Sequence, residues 1–309
     1  PTPIADRRTG AVHFLYQVNY AHVYYMRTDD DGETFSKPVD ITSTVEKFRA
    51  EYDWKVVAPG PGHAIQLRNG RLLVPVWMAL DHSHRPSEIA TIYSDDGGQT
   101  WQRGEMLPRT LHNPSESVAI QLADGRVMLN IRCENPEHRR AVSFSRDGAT
   151  GWTDPVFAVN AADNAAARVR LLPLASASRA VRSQQELFDP ICMASLIRVS
   201  ERPKQKKNRI LFANPDSHAN PEVVSSKNGN RARENLTLRL SYDEGKTWPV
   251  ARPLEPGRSG YSDLAVGADG TIYCLYERGA ASNGSFVNNN LAFARLTLQW
   301  LTGGKDRFK

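Results

Sequence analysis

Ser94–Trp101 reads SDDGGQTW, and the same eight-residue phrase, S/T-x-D-x-G-x-T-W/F, returns as TDDDGETF at Thr28–Phe35 and as SYDEGKTW at Ser241–Trp248. A damaged copy, SRDGATGW, occupies Ser145–Trp152, with its glycine shifted and its threonine lost from register. The phrase links two strand-like runs, so it forms a hairpin turn. Its Asp carboxylate can accept backbone N–H groups across the turn, and its Gly supplies a positive φ. The closing Trp or Phe is placed to fill the gap between neighbouring sheets. These acids and aromatics are therefore assigned to the scaffold, away from any catalytic face. The aligned acids Asp30, Asp96, Asp147 and Asp243 lie 66, 51 and 96 residues apart. The last interval is close to two units, one of which lacks the phrase. A period of about 50 residues with four strands per unit is the signature of a β-propeller. The 309 residues hold about six such units. The expected fold is an all-β, six-bladed β-propeller forming a single domain over residues 1–309.

The runs between the turns agree. VHFLYQV, RLLVPVWM, ATIYS, ESVAIQL, RVMLNIR, AVSFS, RILFAN, LTLRLS, TIYCLYE and LAFARLTL are short, β-branched or aromatic, and bounded by Gly, Asp, Asn or Pro. The best helical stretch, Ala-rich and Arg-bearing, is Asn160–Leu174, which also suits a long surface insertion.

Composition narrows the function classes. Hydrophobic residues at 40% and charged residues at 24% suit a packed core and exclude a disordered chain. The longest apolar runs, such as Leu72–Leu80, fall well short of the roughly 20 residues of a membrane span. A net charge of +5 favours anionic partners. The positive residues are scattered, however, and the one run, Lys204–Lys207 with Arg209, has no interleaved aromatics. It is read as a solvated loop, not a nucleic-acid groove. Cys133, Cys192 and Cys274 are odd in number and widely spaced, so they imply neither a disulfide framework nor a metal site. Cys192 and Cys274 sit in apolar runs and are expected to be buried.

The eight-residue phrase is the Asp box, and three good copies in one chain are a specific signal. With GPGHAIQL (Gly60–Leu67), NPSESVAIQLADGRVMLNIR (Asn113–Arg132), RENLTLRLSYDEGKTW (Arg233–Trp248) and GYSDLAVGADGTIYCLYERG (Gly260–Gly279), the chain resembles the catalytic domain of bacterial exo-α-sialidases. The resemblance covers nearly the whole chain. The closing LAFARLTLQWL (Leu291–Leu301) resembles the family's last strand, which helps close the ring.

The chemistry explains which residues matter. Sialic acid carries a carboxylate on its anomeric carbon, which would repel a carboxylate nucleophile; a phenol avoids that repulsion. With an ordinary pKa of about 10, the phenol needs a base beside it. The substrate carboxylate calls for the planar fork of arginine. The resemblance implies Tyr261 as nucleophile, Glu116 as the base that takes its proton, and Arg132 and Arg233 as two members of an arginine triad. Arg231 is the register alternative to Arg233. Arg132 follows Glu116 by 16 residues across one hairpin, so both can project from neighbouring strand ends. The resemblance also implies Asp53 as a sugar contact and Glu277 as the brace of the first triad arginine. His63 is placed either at the pocket rim or on a local backbone group. No metal and no cofactor are called for, and the implied partner is a sialylated glycan. A secreted or periplasmic bacterial protein is implied as well.

Two parts of the family pattern are missing. Neither the FRIP-like strand with the first triad arginine nor the following loop Asp, the general acid/base, is found in residues 1–50; Arg7 and Arg8 fall in a hairpin turn and Asp29–Asp31 in the first Asp box. The opening PTPIADRRTG lacks an initial Met, so the first blade is expected to be incomplete. Residues 1–309 alone are then expected to turn over weakly or not at all, because general acid catalysis alone is worth about 10²–10⁴-fold. The alternatives are a non-catalytic Asp-box propeller that binds an anionic glycan, and a glycosidase or lyase of another acidic polysaccharide.

Overall fold

Runs that alternate apolar and polar side chains bury one face, and each pairs with the next run along the chain. A computed structural model describes residues 1–136, 138–157, 187–217, 232–279 and 290–308. The helical stretch expected at 160–174 lies outside the described residues. The chain divides into two compact units, Pro1–Glu137 with Ala141–Val156 and Ile191–Leu196, and His138–Arg140 with Phe157–Pro190 and Ile197–Lys309.

The first unit holds three sheets. One runs in the order β1 (Thr2–Ala5), β2 (Val12–Val18), β3 (His22–Thr28), β4 (Val39–Asp40). A short helix, α1 (Thr42–Glu46), leads to the second sheet, β5 (Val56–Pro59), β6 (Ile65–Gln66), β7 (Leu72–Ala79), β8 (Ser87–Ser94) and β9 (Gln102–Met106). Its order is β5-β7-β8-β9, with β6 also paired to β7. The third sheet is β10 (Ser117–Gln121), β11 (Val127–Ile131), β12 (Ala141–Ser145) and β13 (Val156–Phe157). Leu15, Val23 and Tyr25 of the first sheet share one core with Leu72, Val74, Val76 and Ile92 of the second.

A six-stranded sheet carries the second unit: β14 (Ser195–Ser200), β15 (Arg209–Pro215), β16 (Glu234–Ser241), β17 (Val250–Val266), β18 (Ile272–Arg278) and β19 (Asn290–Leu296), in that order. Strand β17 serves twice. Its first half, Val250–Arg258, pairs with β16, and its second half, Ser259–Val266, pairs with β18. The LAFARLTLQWL segment is strand only to Leu296; a helical turn, α2 (Leu298–Leu301), follows because the Thr297 hydroxyl caps it by accepting the Trp300 N–H at 3.1 Å.

The four Asp boxes share one set of bonds. Asp96 accepts from Ser94 Oγ at 2.7 Å, from the Thr100 N–H at 2.9 Å and from Thr100 Oγ1 at 2.6 Å, while Ser94 Oγ accepts the Gly98 N–H at 2.8 Å. Asp30 and Asp243 repeat the set. The damaged copy keeps its staple, because Thr150, one place early, donates its N–H to Asp147 at 2.8 Å. The bonds leave a signature in acidity. Donation by the Thr34 hydroxyl and N–H holds the Asp30 carboxyl at about 2. For Asp96, Asp147 and Asp243, burial opposes ionisation, yet hydrogen bonds outweigh it and hold each below the usual range.

The Trp plugs of three boxes are buried. Trp101, Trp152 and Trp248 are 6%, 7% and 2% exposed, and Trp101 lies 5.6 Å from Tyr25 of the neighbouring sheet. Phe35, in the first box, is 45% exposed and lies edge-on to Phe14 of its own sheet at 5.4 Å. A second repeat forms the β6–β7, β10–β11 and β17–β18 turns. LRNGR (Leu67–Arg71) and LADGR (Leu122–Arg126) form the same turn, with Gly70 and Gly125 at positive φ and their N–H groups donated to Leu67 and Leu122 carbonyls. GADGT (Gly267–Thr271) matches them.

Candidate active site

In the first unit the ladder sets Glu116 beside Arg132. Ser117 pairs with Ile131, and the pairing continues outward through the Arg132 N–H to the Glu116 carbonyl at 3.2 Å and the Ser115 N–H to the Arg132 carbonyl at 2.9 Å. The two side chains meet: Arg132 Nη1 donates to Glu116 Oε2. Glu116 is 8% exposed, so this carboxylate is largely shielded from water. His84 senses both groups. Burial holds its imidazole below the usual value, the Arg85 charge adds to that, and Glu116 opposes it. His84 packs 4.8 Å from Tyr20 and 5.1 Å from Trp77, which forms an aromatic group in electrostatic reach of the Glu116–Arg132 pair. Arg85, next to His84, is paired with Glu134. Tyr20, Trp77 and His84 carry no motif in the sequence; the β2–β3 turn, β7 and the β7–β8 loop bring them together.

In the second unit the junction of β16, β17 and β18 sets Arg233 beside Tyr261. The buried Ser259 makes the link, donating its N–H to the Arg233 carbonyl at 3.0 Å and accepting the Leu236 N–H on Oγ at 3.0 Å. The Arg233 guanidinium then lies over the Tyr261 ring, 5.3 Å from its centroid. Glu277 Oε2 accepts the Tyr261 N–H at 2.9 Å. The same strand carries Arg258, which no sequence motif marks; its Nη1 is buried and has no hydrogen-bond partner among the described residues. Arg231 lies outside the described residues.

Asp53 is paired with neighbouring cations. Its side chain is 68% exposed and bonds to Lys55 at 2.7 Å and Arg49 at 3.4 Å; the Lys55 bond is the main cause of its lowered pKa. His63 is half-buried, just after the cis Gly60–Pro61 bond. Lys204, Lys206 and Lys207 are exposed, while Arg209 is buried on Asp306 at 2.7 Å, so the basic run is a solvated loop with an anchored end. All three cysteines are buried thiols that form no disulfide among the described residues. Among the described residues no three His, Cys, Asp or Glu side chains converge as a metal site, and no helix is long and apolar enough to cross a membrane.

A family model described as a BNR repeat-like domain matches residues 4–274. The chain belongs to the BNR repeat-like family. Its resemblance to sialidases is matched by its relatives. It is 29% identical to a Bacteroides fragilis sialidase over 84% of this chain and 40% of that protein. It is 27% identical to a Micromonospora viridifaciens sialidase over 98% of this chain and 42% of that protein. This BNR-repeat chain thus spans about two fifths of the length of these bacterial relatives. Among solved structures, Hadza microbial sialidase Hz136 superposes with a TM-score of 0.68 at 24% identity, over 97% of this chain and 52% of that one. The likeness extends to the all-β, propeller-like fold.

Proposed function

We propose that the protein is an exo-α-sialidase, a retaining glycoside hydrolase that releases terminal sialic acid from glycoconjugates. Its scaffold is one six-bladed propeller domain to which residues 1–309 contribute most of the blades. Tyr261 is the nucleophile at the anomeric carbon, and Glu116 takes its proton. Arg132 and Arg233 hold the substrate carboxylate, and Asp53 meets the sugar from an exposed position. The attack by Tyr261 breaks the glycosidic bond, and the departing aglycone oxygen takes a proton from solvent. Water then attacks the anomeric carbon and gives up a proton to solvent, the bond to the Tyr261 oxygen breaks, Glu116 returns its proton to the phenolate, and sialic acid leaves with retained configuration.

The observation that carries this function is the guanidinium of Arg233 over the ring of Tyr261. A fixed cation at that place can meet the sugar's carboxylate and stabilise negative charge that develops on the phenol oxygen. Arg233 is half-buried, so its charge is partly shielded from water where it meets the ring. The test is Tyr261→Phe in the longest chain that hydrolyses a fluorogenic sialoside. Loss of at least about 10³-fold in kcat is expected, comparable to removing a nucleophile elsewhere. Unchanged hydrolysis would remove Tyr261 from the mechanism.

A further inference from the structure

Strand β17 is irregular where it presents Tyr261. Ser259 pairs with Arg278 and Ser262 pairs with Tyr276, so Gly260 and Tyr261 on β17 together oppose Glu277 alone on β18. Two residues against one is a β-bulge, which turns the bulged side chains out of the regular alternation and leaves a backbone group without its ladder partner. Here a side chain replaces that partner: the Glu277 carboxylate accepts the Tyr261 N–H at 2.9 Å. The bulge is closed on its other side by Ser259, whose N–H and Oγ tie β17 to Arg233 and Leu236. From Ser262 to Val266 the ladder is regular again.

We propose that Glu277 is a positioning residue that holds this bulge and thereby fixes the direction of Tyr261. Its contribution is the acceptor oxygen toward a backbone N–H, which is a different duty from bracing an arginine by charge. The catalytic consequence rests on Tyr261 being the nucleophile; the structural part does not.

The two duties separate in substitutions. Glu277→Gln keeps an acceptor oxygen and loses the charge, whereas Glu277→Ala loses both. In the full chain labelled with ¹⁵N-tyrosine, ten amides are seen, and Tyr261→Phe identifies the one concerned. The native Tyr261 amide is expected to lie downfield, to exchange slowly, and to move upfield as acid protonates the carboxylate. Glu277→Gln should keep slow exchange and show no such acid titration. Glu277→Ala should exchange about tenfold faster or more, the loss of one hydrogen bond. In a sialoside-hydrolysing chain, Glu277→Ala should lower kcat about tenfold with little change in KM, and Glu277→Gln should recover most of it. A Tyr261 amide that exchanges alike in native and Ala chains overturns the proposal, as does a Gln variant that matches Ala. If the Ala variant fails to fold, the acid titration present in the native chain and absent in Gln still decides. Unchanged hydrolysis in Tyr261→Phe would overturn the nucleophile assignment alone, and leave the amide result standing.

Discussion

Replacing Asp243 by Ala removes the centre of one Asp-box staple. Three donors lose their acceptor: Ser241 Oγ at 2.8 Å, the Thr247 N–H at 2.9 Å and Thr247 Oγ1 at 2.7 Å. A hydrogen bond to a charged group is worth about 1.5–3 kcal/mol net. The Thr247 hydroxyl is only half-buried and can turn toward water in the variant, so it recovers most of its share; the Ser241 hydroxyl is fully buried and does not. The Thr247 N–H is held by the turn and cannot. The Thr247 N–H and the Ser241 hydroxyl together cost about 3–6 kcal/mol, or a melting point lower by roughly 5–9 °C for a chain of this size. The pH dependence supplies a second check. Burial opposes ionisation of Asp243, but the Thr247 and Ser241 bonds outweigh it, so the folded pKa lies below the unfolded one. Stabilisation from this group is complete above about pH 4 and is lost as pH falls through the folded value. Thermal unfolding followed by circular dichroism, at pH 7 and in steps below pH 4, should show a native–variant gap that narrows with acid. A gap under about 0.5 kcal/mol at pH 7, or one that does not narrow, would refute the staple account.

Trp101→Ala should lower stability to denaturant by about 3–5 kcal/mol, and Phe35→Ala by under about 1.5 kcal/mol, because only Trp101 fills a covered inter-sheet gap. Equal losses would contradict the plug assignment. Arg233→Ala should lower kcat/KM for a sialoside at least about 30-fold, the worth of one charge-assisted carboxylate contact; steady-state kinetics showing less than a threefold change would exclude it. Burial pushes the Cys274 thiol up to about 12, and Cys133 and Cys192 are buried too. A disulfide-exchange reagent at pH 8 should therefore leave the native chain unlabelled and count three thiols after unfolding.

Much of the fold was legible because strand and turn chemistry are local. Runs such as VHFLYQV and AVSFS became β2 and β12 residue for residue, and the Asp-box acids took the backbone N–H groups that their spacing predicted. The LRNGR and LADGR turns escaped notice because a two-residue Asn-Gly or Asp-Gly signal is short and generic, and its recurrence is visible only against the ladder. The helical turn after Leu296 was hidden in an apolar run that suits strand equally well, until the Thr297 cap decided it. At the site, Glu116 and Arg132 could be brought together from sequence because a single hairpin separates them. Tyr20, Trp77 and His84 could not, since they are gathered by different strands and loops. The Glu277 bond to Tyr261 depends on a one-residue bulge, which leaves no mark in residue types.

The central claim is that Tyr261 attacks the anomeric carbon of sialic acid. A sialosyl donor fluorinated beside that carbon slows release of the glycosyl–enzyme, so the covalent species accumulates and can be mapped by peptide mass spectrometry. The adduct is expected on the peptide that contains Tyr261, bonded through the phenol oxygen, and is expected to vanish in Tyr261→Phe. An adduct on a carboxylate such as Glu116 or Glu277, or sialic acid released with inverted configuration and no adduct at all, would contradict it.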